Sequence, residues 1–157
     1  LISKMGEKIS ISRNDYIHLE KSYNFFYTHN SLKNNIGKLG AIVSLQSNKL
    51  NDIISDFGKK LAMHIAASNP LALDEKRINP EILDKEKEMI TEELKNSGKS
   101  KDIIEKISIG RIEKFKQENT LLNQNWVMDP KKKVKEILED FNAGIIIKAF
   151  VRYKIGK

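Results

Sequence analysis

The chain has 157 residues, of which 39% are hydrophobic and 31% are charged, a composition typical of one globular domain and not of a disordered chain. It contains no cysteine, which excludes disulfides, thiolate-bound metals and thiol nucleophiles, and no apolar run approaches the ~20 residues of a membrane span. The net charge is +7, and residues 131–157 carry eight basic against three acidic side chains. This basic end predicts an acidic protein or a nucleic acid as partner, unless its lysines only solvate the surface.

Three strands are predicted in the first third of the chain. Residues 7–13 and 38–46 alternate apolar and polar side chains with a period of two, and residues 22–29 are rich in aromatic side chains. Asparagines and a glycine between residues 30 and 37 mark a loop. Because the connections are short and polar, the three segments predict an antiparallel meander.

A helix is predicted over residues 50–65, where apolar side chains recur at steps of three and four. Ser47 or Asn48 is a suitable N-cap, and Asn69-Pro70 ends the helix. The apolar stripe consists of Leu50, Ile53, Ile54, Phe57, Leu61 and Ile65.

Two further helices are predicted within residues 80–119. The first begins near Pro80, a favourable first-turn residue, and ends at Asn96-Ser97-Gly98, while the second begins after Ser100. Their apolar stripes are narrow and their outer faces are dense in charge. We therefore expect an antiparallel coiled-coil hairpin that protrudes from a single domain spanning residues 1–157.

A loop over residues 123–129 contains the apolar triplet Trp126-Val127-Met128, which either plugs the core or presents an apolar surface to a partner. Asp129 as N-cap and Pro130 as first-turn residue then predict a short helix. Three lysines at residues 131–133 fall in the first turn of that helix, where the helix dipole disfavours cations.

The last segment, residues 145–155, is the clearest strand in the sequence. Its odd-numbered residues form a dry face, and its even-numbered residues form an amphipathic one. The predicted strands thus cluster at the two ends of the chain, with helices between them. This order predicts an α+β fold in which helices cover an antiparallel sheet.

The sequence contains no motif for catalysis or cofactor binding. Its glycines form no phosphate-binding loop, no serine lies in a nucleophile elbow, and His18, His29 and His64 lack a metal-site spacing. His29 ends an aromatic strand at a loop and is either an ordinary surface histidine or a functional one. His64 lies at the edge of an apolar stripe, as a half-buried structural histidine would. These residues therefore predict no catalytic site, no metal site and no cofactor.

Short motifs are spread along the whole chain. They are Met5-Gly6-Glu7-Lys8-Ile9, Tyr27-Thr28-His29, Ile36-Gly37-Lys38-Leu39-Gly40, the helical segment Leu61-Ala62-Met63-His64-Ile65-Ala66-Ala67-Ser68-Asn69-Pro70, Ser97-Gly98-Lys99, Gly110-Arg111-Ile112-Glu113-Lys114-Phe115, Val127-Met128-Asp129-Pro130 and Phe150-Val151-Arg152-Tyr153. In this order the chain resembles bacterial and organellar elongation factor Ts. Ser100, Ser108-Ile109 and Asn125-Trp126 depart from the residues usual in the family.

The resemblance implies a translation factor that binds elongation factor Tu, in its GDP-bound and nucleotide-free states, and promotes the release of GDP. The matching contact positions are Met5, Gly6, His29, Val127 and Met128, with His64 as a further candidate. The resemblance is compatible with a homodimer, implies neither a membrane nor a specific nucleic acid, and suggests the bacterial cytoplasm or an organellar matrix. The alternative from a different class is a basic RNA- or ribosome-binding module.

The chain is expected to be the core, or dimerisation-domain, fragment of such a factor. It begins at Leu1 without an initiator methionine or signal peptide, and the family's N-terminal helical domain and Thr-Asp-Phe-Val motif do not occur in it. Asp56-Phe57 imitates the Asp-Phe pair of that motif, but Phe57 lies on the apolar stripe. We therefore expect this chain to bind its partner and to exchange nucleotide poorly.

Overall fold

The protein, described by a computed structural model at residues 6, 10–11, 13–95, 98, 100–141 and 144–155, has an α+β fold. An antiparallel sheet is combined with four α-helices and two short 3-10 turns. In chain order the elements are β1 Ser22–His29, β2 Leu39–Ser47, α1 Asp52–Ser68, a 3-10 turn Glu75–Arg77, α2 Pro80–Lys95, α3 Lys101–Asn119, a 3-10 turn Leu121–Asn123, β3 Asn125–Trp126, β4 Asp129–Lys133, α4 Val134–Glu139 and β5 Ile145–Lys154. Among the described residues, none of these helices combines the length and apolar character that crossing a membrane requires.

The main sheet has the strand order β1-β2-β5, with both neighbouring pairs antiparallel. The predicted strands at 22–29, 38–46 and 145–155 are confirmed, but the predicted three-strand meander is wrong, because the third strand is β5 from the far end of the chain. One face of the sheet is buried under α1, and the fully buried Val43 and Leu45 lie at its centre.

The strand predicted over residues 7–13 is not formed in the described part of that segment. Ser10, Ile11 and Arg13 lie in no strand, and Ile11 is 87% exposed, while the other residues of the segment fall outside the described ones. Alternation of apolar and polar residues marks a strand only where a neighbouring strand supplies hydrogen bonds. In the predicted meander that neighbour would be β1, but among the described residues β1 pairs only with β2.

Helix α1 confirms the predicted helix but begins later than its predicted caps. Asn51 is the N-cap, and its Oδ1 accepts a hydrogen bond from the Ile54 N–H at 2.8 Å. Asn69 ends the helix in the left-handed conformation, as predicted from Asn69-Pro70. Of the predicted stripe, Ile53 is 68% exposed, because it lies about 100° around the helix from its buried neighbour Ile54.

Close contact between α1 and the sheet depends on Gly58. A Cβ atom at this position would overlap the ring of Phe25 on β1. The absence of a side chain therefore lets the helix approach the sheet closely, at the cost of some helix propensity.

A β-bulge divides strand β5 into two parts with opposite faces. Ile147 pairs with Leu45 while Ala149 pairs with Ser44, so the strand carries one extra residue, Lys148, between these pairs. Beyond the bulge Phe150 packs against the main core, although it was predicted to lie on the amphipathic face. The prediction of one dry, odd-numbered face therefore holds only as far as Ile147, because the extra residue reverses the alternation.

Helices α2 and α3 pack against each other around a small apolar cluster of their own. Ile90 and Leu94 of α2 meet Ile112 of α3, and these residues are separate from the main core. Arg111 and Glu93 form an exposed ion pair across the two helices, 2.6 Å apart. The two helices are thus confirmed.

The turn between these helices is only partly described. Asn96 and Ser97 of the predicted stop lie outside the described residues, and Gly98 has a left-handed φ of 68°. Ser100 occupies the N-cap position of α3, as predicted, but its side chain makes no capping hydrogen bond.

The helix predicted to begin at Asp129-Pro130 begins at Val134 instead. Residues 129–133 form strand β4, which pairs with β3, so the three lysines lie in a strand and not in a first helical turn. Glu136 defines the true helix start, because its Oε2 accepts the Lys133 N–H at 2.6 Å. The side chain of Asp129 instead accepts the N–H of Lys131 at 3.2 Å within the strand.

We predict that residues 80–119 are separable from the rest of the domain. Replacing them by a short Gly-Ser linker should leave the sheet and α1 folded, because the cluster between α2 and α3 is separate from the main core. Near-UV circular dichroism of the shortened chain checks this, since the signal of Trp126 depends on its fixed packing. Loss of that signal, with far-UV signal retained, would show that the two helices support the core.

Candidate partner-binding site

The turn between β3 and β4 presents two apolar side chains to solvent. Trp126 pairs with Asp129 across the small sheet, so Val127 and Met128 form the turn itself. Each of these two side chains is 42% exposed. Both side chains are therefore accessible, in part, to a partner.

Trp126 points in the opposite direction, into the core. It is buried, and its ring stacks on Phe57 at 5.8 Å and on His64 at 5.2 Å between centroids. The sequence left open whether the apolar triplet plugs the core or faces a partner. The structure shows that Trp126 does the former, while Val127 and Met128 lie exposed on the surface.

His64 is fully buried, which is at odds with the expectation of a direct partner contact and also exceeds the half-burial expected from its position. Its Nδ1 accepts a hydrogen bond from the backbone N–H of Val127 at 3.3 Å. Its Nε2 lies 3.1 Å from Oε1 of the buried Gln124. The histidine therefore contacts the exposed turn from inside the protein.

These contacts require a neutral imidazole. Since a backbone N–H can only donate, Nδ1 of His64 must be unprotonated, and Nε2 must carry the hydrogen that is donated to Gln124. Burial lowers the pKa of His64 below its ordinary value of 6.5, and the hydrogen bond to Gln124 opposes this only in part. Geometry and burial thus favour the same protonation state.

His29 lies at a separate exposed position, the last residue of β1. Its Nδ1 is hydrogen-bonded to the hydroxyl of Tyr27 at 3.0 Å. The following loop folds tightly against it, because a Cβ atom at Gly37 would lie 2.9 Å from the His29 carbonyl oxygen. No hydrogen bond or ring contact among the described residues joins His29 to the turn at Val127, so the two are independent surface points.

The remaining predicted contact residues lie near the start of the chain. Gly6 is exposed and has a left-handed φ of 69°, whereas Met5 lies outside the described residues.

Asp56 forms an exposed ion pair with Lys60 at 2.7 Å, and Phe57 is buried, which confirms its expected core position. Within the described part of the chain, no three acidic or histidine side chains come together as a metal site.

The sequence did not single out Gln124. It lies in the predicted loop, and its partner His64 is 60 residues earlier in the chain. A hydrogen bond between side chains 60 residues apart produces no periodic pattern in the sequence, so the sequence contains no signal for it.

A known protein family matches the whole chain, including every residue of the candidate site. A family model described as Elongation factor TS matches residues 1–157. The chain belongs to the elongation factor Ts family. This confirms the resemblance drawn from the short motifs, and it makes the chain a member of a family of translation elongation factors that act in protein biosynthesis.

Curated elongation factor Ts proteins are similar to this chain over its full length. That of Gluconobacter oxydans (strain 621H) is 36% identical over 157 residues, which is 100% of this chain and 51% of the relative. Those of Sphingopyxis alaskensis and Bartonella bacilliformis are each 36% identical over 160 residues, 99% of this chain and 52% of the relative. The chain thus spans about half the length of the curated relatives it matches.

We predict that acid destabilises the protein through His64. The unfolded histidine titrates near its ordinary pKa of 6.5 and the folded one at a lower pKa, so between these values the unfolded state binds more protons. The free energy of unfolding should therefore fall as the pH is lowered from about 7 through this window. Urea denaturation between pH 8 and pH 5 measures it.

The matched control is His64→Asn, which keeps an acceptor for Val127 but does not titrate. Subtracting its pH profile from that of the wild type removes the contributions of all other groups. Parallel profiles for the two proteins would contradict the prediction.

Proposed function

We propose that this chain binds elongation factor Tu and, on its own, promotes the release of GDP from it only weakly. The observation that supports this most directly is membership of the elongation factor Ts family, with a match that spans residues 1–157. The bacterial cytoplasm, where translation takes place, is the corresponding location. The proposal concerns a binding function, so it requires no catalytic residue, metal or cofactor.

The mechanism of such a factor is differential binding. A protein that binds the nucleotide-free state of its partner more tightly than the GDP-bound state must, by thermodynamic linkage, weaken GDP binding by the same factor. No covalent bond is made or broken in this process. What matters is which surfaces the factor offers and how rigidly it holds them.

The structure offers two surfaces that suit this role. The turn at Val127 and Met128 holds two apolar side chains outward on a short, hydrogen-bonded hairpin anchored by the buried Trp126. His29 supplies a polar contact at the end of β1, where the loop at Gly37 lies close to its backbone carbonyl and its ring is hydrogen-bonded to the hydroxyl of Tyr27. Exposed side chains on rigid supports lose little conformational entropy when they bind.

We predict that these positions contribute to the binding of elongation factor Tu. His29→Ala, and Val127→Ala combined with Met128→Ala, should each weaken the affinity by about tenfold or more, since interface anchors typically contribute ~1–3 kcal/mol. Isothermal titration calorimetry measures the affinity, and thermal unfolding checks that each variant is folded.

Ile53→Ala is the matched control, because it also removes an exposed apolar side chain but from the outer side of α1. It should leave the affinity unchanged. Wild-type affinity in folded His29 and Val127/Met128 variants would exclude these residues from the interface.

We further predict that the 157-residue chain accelerates GDP release only slightly. In the family an Asp-Phe pair acts near the Mg²⁺ side of the nucleotide pocket, but here Phe57 is buried and packs on Phe141 at 4.8 Å between ring centroids. Exposing it would cost ~2–3 kcal/mol. A surface that binds both nucleotide states equally shifts no equilibrium.

Release of a fluorescent GDP analogue from elongation factor Tu, measured by stopped flow, tests this prediction. A curated full-length relative serves as the positive control. Release as fast as with that relative would show that the chain itself discriminates between the two states of its partner.

The alternative, a basic RNA-binding module, is tested by measuring RNA binding to the same protein at several salt concentrations. RNA binding that weakens steeply with salt would indicate phosphate contacts. Such a result, together with no affinity for elongation factor Tu, would replace the proposed function.

A further inference from the structure

A chain of hydrogen bonds connects the exposed turn at Val127 to buried side chains in the protein interior. The backbone N–H of Val127 donates to Nδ1 of His64 at 3.3 Å, and Nε2 of the same ring donates to Oε1 of Gln124 at 3.1 Å. One histidine thus connects a surface turn to a buried amide, and neither of its ring nitrogens is left over for another partner.

Gln124 is itself fixed in one orientation. Its Nε2 donates to the carbonyl oxygens of Ser68 at 3.2 Å and Glu118 at 2.9 Å, at the ends of α1 and α3. Two carbonyls can accept only from the NH₂ group, so Oε1 must face His64. The ends of two helices therefore determine the tautomer of the histidine, and the tautomer determines that Nδ1 is an acceptor toward the turn.

Packing holds the ring in the same place. The His64 ring is stacked on Trp126 with 24° between the ring planes, and it lies on α1 among fully buried neighbours such as Leu61 and Ile65. A ring that is fixed by packing on its face and by hydrogen bonds at both nitrogens has no freedom to follow a moving turn. The turn must instead conform to the ring.

We propose that His64 and Gln124 are positioning residues, which hold the Val127–Met128 turn in the conformation that the partner recognises without contacting the partner themselves. The inference rests on the proposed binding of elongation factor Tu. A turn that is competent for only a fraction of the time binds more weakly by that fraction. Losing one hydrogen bond of ~1 kcal/mol should therefore weaken binding by about fivefold.

Two substitutions of His64 separate positioning from simple packing. In His64→Asn, Oδ1 replaces Nδ1, because both atoms are two bonds from Cβ, so the acceptor for Val127 is kept and the contact to Gln124 is lost. In His64→Gln, the terminal amide replaces Nε2, so the contact to Gln124 is kept and the acceptor for Val127 is lost. Both remove the aromatic ring and its stacking on Trp126.

The readouts are affinity for elongation factor Tu by calorimetry and hydrogen exchange of the Val127 amide by NMR. We expect His64→Gln to bind about fivefold more weakly than His64→Asn and to exchange the Val127 amide faster. Ile90→Ala is the control for stability, because it removes a buried apolar side chain from the separate cluster between α2 and α3. It should change neither readout.

Three results would count against the inference in distinguishable ways. Equal affinity and equal exchange in the two His64 variants, with the wild type binding, would overturn the positioning role alone. No binding by the wild type would overturn the proposed function and the inference together. If neither variant folds, nitrogen NMR of the wild-type ring decides, since a protonated Nδ1 would exclude the hydrogen bond from Val127.

Discussion

The packing of α1 on two sides at once is the constraint on which the rest of the structure depends. One side lies against the sheet so closely that Gly58 leaves room only for the ring of Phe25. The other side carries Phe57 and His64, and Trp126 stacks on both. Because large buried side chains stabilise by ~1.5–3 kcal/mol each, this doubly buried helix fixes both the sheet and the C-terminal elements. The position of the Val127–Met128 turn follows from this packing, because the turn comes directly after Trp126.

Local sequence signals predicted most of the elements. Helices α1 to α3 and strands β2 and β5 follow from periodicity and from breakers such as Asn69-Pro70, and strand β1 follows from its aromatic residues. The errors concern strand pairing. Residues 7–13 alternate in sequence but form no strand in their described part, so alternation alone does not make a strand. The alternation of β5 reverses at Lys148 because of its register with β2, and this register leaves no trace in the sequence of β5.

The sequence predicted which residues of the candidate site are exposed, but not the buried contacts beneath them. The exposure of Val127, Met128 and His29 follows from their loop and strand-end positions, which are readable from the sequence, whereas their contact with a partner stays a prediction. His64 is buried more deeply than its predicted half-burial, and its hydrogen-bond partners Gln124 and Val127 lie about 60 residues away, where the local pattern has no information. A buried polar network of this kind is a property of the fold, and only the assembled structure shows it.

The bulge in β5 determines which face of the sheet each later residue of the strand occupies. Before Lys148 the odd-numbered residues face the core, and after it the even-numbered residues do, so that Arg152 reaches the carbonyl of Ala66 at 2.9 Å. Tyr153 then falls on the outer face, where Arg13 lies over its ring and Asp15 accepts its hydroxyl hydrogen bond. Deleting one residue at the bulge would exchange these two sets as a block. A substitution in this part of the strand changes one side chain, whereas a change of length at the bulge changes the face of every residue that follows.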